Sequence, residues 1–359
     1  MRSPRAFATT TLAVALTLAA CSAAKSEPET TLAGGTPTIG PLEQKSASER
    51  KPFTIAFGGD IHFEGALRGR LNNPKTALGP ISRVLSKADL AVVNLETAIT
   101  TGGTPAPGKQ YTFRAPASAL TALKASGVDV ASLANNHGMD YMESGLRDTL
   151  SAIKRSKFPV IGVGKDEDEA YKPYRATVNG HKVAVIGATQ VLDAEFIQSW
   201  TAGPDKAGLA SAKNEARLVQ AVREARRNSD TVVVFLHWGT ELQACPNPAQ
   251  SSLAPKLVRA GADVIVGGHA HQLLGSGYLG KAYVNYGLGN FVFYNWGAVT
   301  GKTGVLTLTI DGRRVVKDVW TPATIQSPGL PVPLRGAAAR QAVADWKSLR
   351  SCAGLSAKP

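Results

Sequence analysis

From Phe53 onward the chain alternates short apolar runs with amphipathic stretches, the pattern of an α/β domain. The apolar runs predict strands at Phe53–Phe57, Leu90–Asn94, Val128–Leu133, Val160–Val163, Lys182–Gly187, Thr231–Leu236, Val264–Val266 and Lys281–Asn285. Between them, Pro80–Lys87, Ala117–Ser126, Glu143–Ser156, Lys213–Asn228 and Gln250–Gly261 place apolar residues three and four apart, as helices packed on a sheet do. Asn179-Gly180 and Asp311-Gly312 have the composition of two-residue hairpin turns, so the sheets are expected to be mixed rather than purely parallel. Near the end, Gly304–Ile310 and Val315–Thr321 predict a hairpin, and Ala337–Leu349 a last helix with Trp346 packed.

The first 52 residues have a different character. Arg2 and Arg5 precede an apolar run from Ala6 to Ala20 that is too short for a stable membrane span and rich in small residues at its end, as in a secretory signal peptide. Leu18-Ala19-Ala20-Cys21 resembles the bacterial lipobox, which implies cleavage before Cys21 and a diacylglyceryl group on its thiol. Residues 22–52, rich in Ser, Ala, Glu, Thr and Pro without hydrophobic period, read as a flexible tether. The expected organisation is a leader at 1–20, a lipidated Cys21 with a tether at 21–52, a folded domain at 53–325 and an extension carrying the last helix at 326–359. The expected location is extracytoplasmic, anchored to the membrane by two acyl chains.

Composition adds two constraints. Forty Lys and Arg against 27 Asp and Glu give +13, and losing residues 1–20 removes only Arg2 and Arg5, so a basic surplus of +11 survives processing. Such a balance favours anionic partners: polyphosphates, acidic polymers or lipid headgroups. The bases are scattered without aromatic interleaving, which argues against nucleic acid. With Cys21 lipidated, Cys245 and Cys352 form an even pair in an oxidising setting, and both a disulfide and two separate thiols stay open.

Candidate chemistry collects where strands stop. The strand ends run into Gly59-Asp60-Ile61-His62, Asn94-Leu95-Glu96, Asn135-Asn136-His137, His237-Trp238-Gly239 and Gly268-His269-Ala270-His271. In an open α/β sheet the ligand site lies outside the carboxyl ends of the strands, so these groups can converge. A single such pair is more often a hydrogen-bonded edge than a metal site. Five together supply imidazole and carboxylate donors suited to Mn, Fe or Zn, and too many of them for one ion, so two ions sharing a carboxylate fit best.

In order, Gly-Asp-Ile-His, Asn-Leu-Glu, Leu-Ala-Asn-Asn-His, Leu-His-Trp-Gly-Thr-Glu, Gly-His-Ala-His and Gly-Leu-Gly-Asn-Phe-Val-Phe resemble the CapA family of poly-γ-glutamate capsule biosynthesis, a branch of the calcineurin-like metallophosphoesterases. The likeness spans residues 53–320. It implies a four-layer αββα fold, mixed sheets sandwiched between helices, and a dinuclear metal site. By that resemblance, Asp60, His62 and His271 hold one ion, Asn136, His237 and His269 the other, and Glu96 bridges them. His137 corresponds to the general acid that protonates a leaving oxygen, a task that imidazole chemistry suits. Asn135, Glu241 and Asn290 are supporting candidates around the ligands. Classical phosphoesterases bridge with Asp where this chain has Glu96, whereas His62 restores a ligand that CapA-like chains often lack. The implied activity is metal-dependent hydrolysis of a phosphate ester in an anionic envelope polymer or its precursor, with capsule-synthesis membrane proteins as partners. The competing expectation is a non-catalytic binding or export component of polyglutamate capsule assembly.

Overall fold

The computed structural model describes residues 50–359, so the expected leader, Cys21 and most of the tether lie outside the described residues. Two sheets carry the fold. In the first the strand order is Leu330–Pro333, Arg314–Gln326, Lys302–Asp311, Phe53–Ile61, Leu90–Leu95, Val130–Ser132 and Val160–Ile161, with Asn290–Val292 paired alongside the end of Phe53–Ile61. The last four of that series are mutually parallel, and Lys302–Asp311 joins them antiparallel. In the second the order is Ser276–Leu279, Ala282–Asn285, Val264–His269, Thr231–Trp238, His181–Thr189 and Tyr174–Val178; the four inner strands are parallel and each edge is a hairpin. The Asn179-Gly180 turn forms with φ of 47° and 84°, the two positive values that a two-residue turn of this twist needs.

Alternation along the strands builds the layers. Ile55, Phe57, Val92 and Val130 of the first sheet meet Val183, Val185, Val233, Phe235, Val264 and Val266 of the second in a buried middle layer. Their neighbours Ala56, Ala91, Val93 and Ala131 face the other way, onto the helices Ser118–Ala125 and Met142–Ser156 through Leu120, Leu123 and Leu146. In the second sheet Ala184, Ile186, Val232, Val234 and Ile265 face Leu218 and Val222 of helix Glu215–Arg227 and Leu253 and Leu257 of helix Pro248–Ala260. The result is the expected helix–sheet–sheet–helix order. Each fully buried aliphatic side chain contributes about 1.5–3 kcal/mol, and both faces of these strands are covered.

Two expected elements differ. Pro80–Lys87 shortens to a single helical turn, Ser82–Leu85, because Gly79 and Pro80 are taken up in a 3-10 turn before it. Val160–Val163 breaks at Gly162, whose φ is 84° and where a Cβ would lie 2.5 Å from the Ala134 Cβ. Val163–Gly164 then pairs with Gly208–Leu209 instead.

Residues 326–359 fold back onto the sheets. Leu330–Pro333 extends the first sheet, and Trp346 of helix Gly336–Ser348 stacks on Trp320 with ring centroids 5.3 Å apart. Cys352 bonds Cys245, with Cα atoms 5.5 Å apart, which resolves the open pairing and ties the last segment to the loop after Trp238. Ser356 exchanges main-chain hydrogen bonds with Tyr278. The parallel strands of both sheets end on one side of the molecule, and that side carries the candidate chemistry.

Candidate metal centre

Asp60 closes the strand Phe53–Ile61 and is fully buried. One oxygen accepts from Asn94 Nδ2 at 2.8 Å and the other from the His269 main-chain N–H at 3.0 Å, so a carboxylate of the first sheet is fastened to the last strand residue of the second. Two glycines permit this approach. A Cβ on Gly268 would lie 2.4 Å from Asp60 Oδ1, and one on Gly59 would lie 2.0 Å from the Gly289 carbonyl oxygen. His269 and His271 adopt φ of 91° and 54°, left-handed conformations that cost a non-glycine residue on the order of 1–3 kcal/mol each. His269 thereby stands beside Glu96, and His271 beside Asp60 and Glu96.

Glu96 follows the strand Leu90–Leu95 and is also fully buried, 3.4 Å from His237 Nε2. Neither of its oxygens has a hydrogen-bond partner, and neither does His269 Nδ1. Burial alone would raise the Glu96 carboxyl, but the imidazoles of His237, His271 and His137 hold it well below the usual carboxylate range. Asp60 moves the other way, pushed up by burial and by the Glu96 charge against the pull of His237 and His271. Burial, with His237 and His271 alongside, pushes the His269 ring well below the ordinary imidazole range. The His271 ring rises instead: burial opposes its charge, yet Glu96, Asp60 and the Asn290 hydrogen bond outweigh that.

Three overlapping groups can each hold a cation, their donor atoms lying within 4.8 Å of one another: Glu96, His237 and His269; Asp60, Glu96 and His271; and Glu241, His269 and His271. Shared members are what two adjacent ions require. The donor set of imidazole and carboxylate suits Mn, Fe or Zn. A buried carboxylate with both oxygens unpartnered is costly unless a cation satisfies it, so the residues present fit divalent ions.

The structure sorts the expected residues. Asp60, Glu96, His237, His269 and His271 come together. Glu241, expected as a supporting residue, instead presents its carboxylate to His269 and His271 directly, from an exposed loop. Asn136 lies beside them, its Oδ1 2.7 Å from His237 Nε2. Asn290 takes the supporting position, with Oδ1 2.7 Å from His271 Nδ1. Asn135 ties strand ends together, donating to Asn94 Oδ1 at 3.0 Å and to the Leu95 carbonyl at 2.9 Å while accepting the His137 N–H. His62 belongs to none of the three groups. Its Nδ1 accepts the Glu64 N–H at 3.0 Å, its Nε2 faces the Tyr294 N–H at 3.3 Å, and Phe113, Phe293 and Tyr294 enclose the ring. Burial, with His137 and His271 nearby, pushes it down to about 3 despite the pull of Glu96.

His137 is buried beside the centre, its Nδ1 2.5 Å from Asp140 Oδ2 and its ring stacked on Phe113 at 4.1 Å. Lys109, Phe113 and Asp140 are site residues that sequence reasoning missed, and Asn94 stood in the Asn-Leu-Glu motif without a role. Only Asp140 left a signal, a carboxylate three residues past the candidate acid.

The profile described as "Bacterial capsule synthesis protein PGA_cap" matches residues 54–295. The capsule biosynthesis protein CapA of Bacillus anthracis is 30% identical over 311 residues, covering 84% of this chain and 74% of that protein. The PGA biosynthesis protein CapA of Bacillus subtilis (strain 168) is 36% identical over 172 residues, covering 48% of this chain and 44% of its own length. Among solved structures, a novel phosphatase from Mycoplasma pneumoniae aligns at 15% identity with a TM-score of 0.49, over 77% of this chain and 94% of that one. The profile covers well over half of the residues, and the chain belongs to the bacterial capsule synthesis protein family PGA_cap.

Proposed function

We propose that this chain is a cell-envelope lipoprotein whose domain is a dinuclear metal-dependent hydrolase of the phosphoesterase type, working on a capsule-like anionic polymer such as poly-γ-glutamate or on its precursor. The observation that carries the reading is Glu96, fully buried with both carboxylate oxygens unpartnered and shared between two of the three donor groups. Asp60, Glu96, His237, His269 and His271, with Glu241 and Asn136 alongside, would hold the ions. Divalent ions, when bound, supply Lewis acidity toward a phosphoryl oxygen and lower the pKa of water. The chain's own residues do the rest. Asn290 and Asn94 orient imidazole and carboxylate, and His137, with Nδ1 committed to Asp140, keeps Nε2 for proton transfer to a leaving oxygen. The +11 surplus favours a polyanion.

Elemental analysis of the purified protein after loading with Mn, Fe or Zn is expected to give about two ions per chain, and the loaded protein to hydrolyse a phosphate ester. Absence of bound metal would remove the site; ions without hydrolysis of any ester would favour the binding and export role instead.

The Cys245–Cys352 bond supports an oxidising compartment and, with it, the envelope location. Cys21→Ala is expected to move the protein from the membrane fraction to the soluble one or to stall its processing, because two acyl chains provide the anchoring. Fractionation with immunodetection checks this, and a processed chain that stays on the membrane would end the lipoprotein assignment.

A further inference from the structure

His137 is held by Asp140 and by Phe113, and an irregular, Gly- and Pro-rich segment with no hydrophobic period supplies both Phe113 and Lys109. The Asp140 carboxylate has no hydrogen to give, so His137 Nδ1 donates to Oδ2 across 2.5 Å. The same oxygen accepts the Phe113 N–H at 2.6 Å. The other oxygen lies 2.7 Å from Lys109 Nζ, and the two side chains are 0% and 6% exposed. That ammonium also donates to the main-chain carbonyl of Asn136, lies 3.3 Å from Asp193 Oδ2 and sits over the Trp200 ring at 5.1 Å. The Phe113 ring closes the remaining side, between His137 and His62.

A buried lysine among carboxylates could serve merely to hold a loop down, but a buried ion pair is a weak source of stability compared with apolar packing. What this one adds is direction. One ammonium grips the residue before His137 through its carbonyl and the carboxylate that aims the His137 ring, so the candidate ligand Asn136 and the candidate proton donor are set in register. We propose that Lys109 is a positioning residue: with Asp140 it fixes the tautomer and orientation of His137 relative to Asn136. This rests on His137 as the proton donor of the proposed hydrolase.

Two variants test it in the processed, Zn-loaded chain. Lys109→Met removes the ammonium; Lys109→Met with Asp140→Asn removes both charges, so that no unpaired carboxylate is left beside His137 if the single variant folds poorly. Methyl phenyl phosphate, with the poorer leaving group, is expected to be turned over about 10–100-fold more slowly by both variants, and methyl p-nitrophenyl phosphate within about threefold of the native rate. KM and zinc content should stay near their native values. The second readout is independent of turnover. In side-chain ¹H–¹⁵N spectra, the Nδ1–H resonance assigned to His137 by its loss in His137→Ala should be protected in the native protein and lost or mixed in tautomer in both variants. Retention of that resonance, or equal rate losses with both esters accompanied by loss of zinc, would overturn the proposal and leave Lys109 as loop support. If the native protein hydrolyses neither ester, the hydrolase assignment fails by itself, and the resonance alone decides whether Lys109 positions His137.

Discussion

Replacing His137 with Ala is expected to lower turnover of a phosphate ester by about 10²–10⁴-fold, the usual worth of a positioned general acid. Metal content should stay near native, since His137 belongs to none of the donor groups that converge on Asp60 and Glu96. Folding should survive as well. Asp140 would keep the Phe113 N–H and the Lys109 ammonium after the imidazole is gone, so no carboxylate is orphaned and the unfolding midpoint should fall by only a few degrees. The loss should be greatest for poor leaving groups, because an activated phenolate departs without a proton. Steady-state kinetics with esters of graded leaving-group basicity, beside elemental analysis, check the prediction. Loss of an ion in the variant would make His137 a ligand. Undiminished polymer production in cells by the variant, together with an inactive native enzyme, would favour the binding and export role.

Apolar runs such as Ile55, Ala56 and Phe57 marked the strands but not their facing, because a strand covered on both sides is apolar throughout; the layer order came from the family resemblance. The strand ends carried most of the centre for a topological reason: parallel strands of both sheets deliver Asp60, Glu96, His237 and His269 to one side. The missed residues, and the enclosure of His62, depend on contacts that spacing does not encode. His62 follows Asp60 by two positions, which on a continuing strand would give a shared face. The strand stops at Ile61, and Phe113, Phe293 and Tyr294, distant in sequence, wall the ring off. Lys109 lies in a stretch with no hydrophobic period, and its importance appears only when the chain brings it against Asp140 and Asn136. Glu241, expected to support the ligands, is exposed, yet its loop leans on the Gly-His-Ala-His turn through the Leu242 N–H to the Ala270 carbonyl. The even cysteine count left the disulfide open because parity says nothing about the 5.5 Å Cα separation that permits it.

Glu96→Gln is expected to act chiefly on the metal-loaded protein. Without ions two effects oppose: the imidazoles of His237 and His271 favour the Glu96 charge, whereas that charge adds to burial in pushing the Asp60 carboxyl upward. Gln keeps the shape and removes one of the two charges. The chelated variant should therefore unfold within a few degrees of the chelated native protein. With ions present the variant should be clearly the less stable. Ions that bind only the folded chain stabilise it by about 2.7 kcal/mol at a concentration 100 times Kd, and a neutral amide at the shared position forfeits most of that gain. At least one ion per chain should be lost, with affinity falling about 10²-fold or more, because the remaining donors then lack the carboxylate shared between two of the donor groups. Thermal unfolding with and without chelator, read beside elemental analysis, gives both halves of the result. A variant that retains both ions at native affinity would show that the unpartnered oxygens of Glu96 face no cation, and the dinuclear assignment would lose the observation on which it stands.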